Sequence, residues 1–111
     1  MKIFSTNNHV PSILHFLGTD LWVKCRIKSH LGDVYYVRPQ TFIYDNFGTC
    51  NIFPGNWVDN YNDYNIPEMT MDYLDGWINF ARPFQFSDIE VITPLEVLTT
   101  EELLDLMGCN R

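Results

Sequence analysis

The sequence predicts a strand-dominated α+β fold: a small curved antiparallel sheet or a partly open barrel, SH3-like or OB-like, with two or three short helices including one at the carboxyl end. Three observations predict it. Residues 21–44, LWVKCRIKSHLGDVYYVRPQTFIY, alternate as two strands around a turn; short apolar runs are broken at close intervals by Gly, Pro and Asn; and a helix-capping pattern stands near the end.

The 21–44 stretch organises the rest. Leu21, Val23, Cys25 and Ile27 share one parity, and Trp22, Lys24, Arg26 and Lys28 share the other, which places the two sets on opposite faces of a strand. One face is core and the other basic. Ser29 to Asp33 carries Gly32 and Asp33, residues suited to a chain reversal, and VYYV begins the return strand.

In chain order, Lys2 to Ser5 predicts a short first strand, and Asn7 and Asn8 break it. Pro11 suits a first helical position, and Gly18 a helix end, so Pro11 to Leu17 predicts a short helix that must pack on the sheet to persist. Pro39 makes its strand an edge or interrupts it, because proline has no N–H to give a ladder. Asp45, Asn46 and Gly48 predict a turn, and Thr49 to Phe53 a further strand closed by Pro54 and Gly55.

Asp59 to Asn65, DNYNDYN, is polar without an apolar period and reads as an exposed loop. PEMTMDYLD, 67–75, fits a helix slightly better than a strand. Trp77 to Ala81 reads as a strand, and Phe84 to Ile92 as another whose inward parity shifts from Phe84 and Phe86 to Ile89 and Val91, so a bulge or bend is expected near Ser87 and Asp88. Thr99 with Glu102 three residues on is a capping box, and Leu103, Leu104 and Met107 form an apolar stripe; a helix is predicted at Thr100 to Met107, closed by Gly108.

The 111 residues suffice for one domain, 1–111, with a single core, and the apolar content of 46% excludes a disordered chain. Three cysteines, an odd count without C-x-x-C spacing, argue against a disulfide framework or zinc knuckle and favour a reducing, cytoplasmic setting. The first residues lack the continuous apolar core of a signal peptide, and no run is long enough to cross a bilayer, so a soluble protein is expected.

Net charge is -7, unevenly placed: residues 1–44 hold five cations against two acids, net +3, and residues 45–111 hold two against twelve, net -10. That asymmetry frames the functional expectations. The leading one is a protein partner, basic in character, held by the acidic, aromatic-rich surface of Trp57, Asp59, Tyr61, Asp63 and Tyr64. A variant of it has the carboxylates mimic a nucleic-acid backbone and so inhibit a nucleic-acid-binding enzyme. The alternative is nucleic-acid binding by the basic hairpin face, where Lys24, Arg26, Lys28 and Arg38 would meet phosphates and Trp22 would stack on a base. Against it, the same residues describe the solvated outer face of any half-buried hairpin.

Other chemistry has less to stand on. Asp59, Asn62, Asp63 and Asn65 offer oxygen ligands, but Tyr61 interrupts the calcium-loop spacing and the terminal Glu is missing. His9, His15 and His30 are too dispersed for a metal site, so neither metal nor cofactor is expected. Cys25 falls on the inward parity, while Cys50 is expected to be the more exposed thiol, without a neighbouring cation to activate it. With scattered glycines and no G-x-S-x-G, an enzyme is not expected.

Overall fold

The computed structural model describes residues 2–4, 12–56, 76 and 78–106. Its strands are β1 (Lys2–Phe4), β2 (Leu21–Ile27), β3 (Asp33–Tyr44), β4 (Phe47–Pro54), β5 (Arg82–Gln85), β6 (Ile89–Val91) and β7 (Leu95–Thr99), followed by one α-helix, α1 (Thr100–Leu106). All pairings among them are antiparallel, and the strands run β1-β7-β2-β3-β4-β5 across one sheet that is not closed into a barrel. Strand β6 lies off this path, beside the second half of β2.

The expected hairpin is the centre of the sheet. β2 pairs with β3 from Val23 opposite Val37 to Ile27 opposite Asp33. The reversal between them is a 3-10 turn at Lys28–His30, with Leu31 and Gly32 at φ of 60° and 73°. Its entry is tied down by Asp88, whose carboxylate accepts from the Ser29 amide at 3.0 Å.

On its other side, β2 is covered by two strands end to end. Leu21 to Val23 face Thr99 to Val97 of β7, and Cys25 to Ile27 face Val91 to Ile89 of β6. Between these the chain steps out around Thr93 and a cis Pro94, and the Ile92 amide donates to the Lys24 carbonyl at 3.2 Å. The parity shift expected near Ser87 and Asp88 is a 3-10 turn at Phe86–Asp88, and Phe86, Ile89 and Val91 are all buried.

Both faces of the sheet carry buried side chains. One face carries Val23, Cys25, Ile27, Val37, Cys50, Ile52 and Val97, closed by Ile13 and Phe86. The opposite face buries Trp22, Tyr36, Phe53 and Leu98 completely, together with Leu103 of α1. Cover by α1 turns a strand face read as solvated into interior at its Trp22 end. Exposure then grows along β2: Trp22 is buried, Lys24 partly so, and Arg26 open.

Other expectations are refined. The first helix is a 3-10 turn of four residues, Ile13–Phe16, whose Ser12 amide donates to His15 Nδ1 at 3.0 Å. The turn expected at 45–48 is confined to Asp45 and Asn46, while Gly48 lies inside β4. Ile78 and Asn79 are helical where a strand was expected, and the expected helix at 67–75 lies outside the described residues. The carboxyl-terminal helix stands as its capping box predicts: the Thr99 amide donates to Glu102 at 3.0 Å and the Glu102 amide to Thr99 Oγ1 at 3.1 Å. Among the described residues, no helix is long and apolar enough to cross a membrane.

Candidate functional site

The basic face of the hairpin is the candidate site the described residues can show. Register sets its rows: Lys24 lies opposite Tyr36, which lies opposite Phe53, and Arg38 lies opposite Asn51. Trp22 lies opposite Leu98 on β7. These side chains share the face on which α1 packs.

At the α1 end of this face polar groups converge on Arg38, while the buried Asn51 Nδ2 is left without a hydrogen-bond partner. Arg38 donates through Nε and Nη2 to Asn51 Oδ1 at 3.1 and 3.0 Å, and through Nη1 to Asp20 at 3.1 Å and Thr100 Oγ1 at 3.0 Å. Its Nη2 also donates to the Ile78 carbonyl. Those five bonds match the five N–H donors of a guanidinium, so no donor is left for a phosphate. The Gln40 side-chain amide lies against Asn51 and the guanidinium beside them. The guanidinium carbon stands 4.8 Å from the Trp22 ring centroid, a cation–π contact inside the fold.

Thr100 serves as the junction. Its hydroxyl accepts from Trp22 Nε1 at 3.0 Å and from Arg38, and it donates to Asp20 Oδ1, which uses both lone pairs and the one hydrogen. Thus β2, β3, β4, the residues before β2 and the start of α1 meet through one arginine. Trp22, expected on an open face, is corrected to an interior position and Arg38 to a partly buried one, because the start of α1 and the Ile78 segment bond to them.

The remaining cations of the stripe do not form a row. Lys24 Nζ pairs with Glu96 at 2.9 Å, and both side chains are largely buried. Arg26 and Lys28 are exposed, with Glu90 of β6 in register beside Arg26. The face therefore runs from a closed arginine network, through an ion pair, to two open cations bordered by a carboxylate.

The thiols are inert by environment. Cys25 and Cys50 are both free and fully buried, which corrects the expected exposure of Cys50. Burial pushes the Cys50 thiol up to about 12, and burial with the nearby Cys50 pushes Cys25 higher still. A neutral thiol is a poor nucleophile and a poor metal ligand. Among the described residues, no three His, Cys, Asp or Glu side chains gather as a metal site.

The expected partner surface, Trp57, Asp59, Tyr61, Asp63 and Tyr64, lies outside the described residues. A surface that the sequence reading passed over lies within them. Phe42, Ile43 and Tyr44 at the end of β3 are 43, 51 and 61% exposed. The signal that could have found them is three consecutive apolar residues in a segment, 39–44, without a charge.

Comparison with protein families, curated proteins and solved structures gave no match in any of the three.

Proposed function

We propose that this chain is a protein-interaction domain that binds a basic protein through the acidic, aromatic-rich surface of Trp57, Asp59, Tyr61, Asp63 and Tyr64. The observation that carries this reading is the internal use of the hairpin's cations. Arg38 spends all its donors inside the fold and Lys24 is held by Glu96, so half of the positive stripe is withdrawn from the surface. With a net charge of -7, what remains outside favours a partner of opposite sign. A nucleic-acid-binding protein whose groove accepts carboxylates in place of phosphates is one member of that class.

The test is capture of partners from the native host at low salt, followed by affinity measurement as salt rises. Expected is a basic protein whose binding weakens with salt. Asp59→Asn with Asp63→Asn should weaken it about tenfold, the effect of two exposed charges of ~0.7 kcal/mol each. Affinity indifferent to both salt and substitution contradicts the reading. So does an oligonucleotide complex at low salt that disappears on replacing Arg26 and Lys28, the two cations of the stripe that remain exposed.

A further inference from the structure

We draw no further inference here: the strongest candidate, the exposed and uncharged edge of β3 at Thr41, Phe42, Ile43 and Tyr44, carries none because nothing in the structure shows what covers it.

Discussion

At the scale of single residues, burial determines what the reactive groups can do. Cys50 and Cys25 sit among aliphatic side chains, and their thiols are held neutral by desolvation. Iodoacetamide at neutral pH should label neither in the folded Cys109→Ser variant, and both after unfolding; rapid native labelling would contradict the burial. The folded-state value of Cys50 is raised from an ordinary 9.0 to about 12. A raised value means the fold keeps a proton that the unfolded chain releases. The stability involved is whole below about pH 9 and is lost as pH climbs towards 12. Melting temperature should therefore fall between roughly pH 9 and 11, and fall less steeply when Cys25 and Cys50 are both alanine. Equal slopes would remove the thiols from the account.

At the scale of elements, the β3–β4 pair shows how side chains and backbone share one constraint. Gly48 is a glycine because a Cβ would collide with the Thr41 carbonyl and the Phe86 ring. Gly18 is a glycine for its φ of 77°, with open space around it. Gly48→Ala should cost at least about 2 kcal/mol in urea denaturation and Gly18→Ala nearer 1, since backbone yields less than a rotamer does. The reverse order would contradict the close approach. Some elements were legible in the sequence because their signals are local. The alternation at 21–27, the parity break at Ser87 and Asp88, and the Thr99–Glu102 box each need only a few adjacent residues. Gly48 was not legible, because a glycine beside Asp45 and Asn46 looks the same whether a turn or a distant ring demands it.

The two-sidedness of the sheet was not legible for a related reason. A strand buried on both faces usually reads as a continuous apolar run. β2 does not, since cover by α1 reaches Trp22 and fades before Arg26. The better clue lay in β4, where Cys50, Asn51, Ile52 and Phe53 are all buried and the lone polar residue demands a partner. That partner, Arg38, comes from the strand opposite it.

For the whole molecule, charge and fold are linked through that pairing. The first half of the sequence carries +3, yet the structure pairs two of its cations with carboxylates, Lys24 with Glu96 and Arg38 with Asp20, so the basic stripe is weaker at the surface than the sequence alone implies. The aromatic arm at 42–44 is, by contrast, an uncharged exposed patch on the same molecule.

The claim beneath all of this is that Arg38 belongs to the interior and Arg26 to the surface, although both sit on one stripe of the sequence. Urea denaturation of Arg38→Ala and Arg26→Ala, side by side, tests it most directly. Arg38→Ala removes the guanidinium donors from the buried Asn51 oxygen and the Ile78 carbonyl and should cost about 2–3 kcal/mol, while Arg26→Ala should stay within ~0.5 kcal/mol of the parent. Equal and small losses at both positions would mean that Arg38 is a surface cation after all, and the acidic-surface reading would lose its ground.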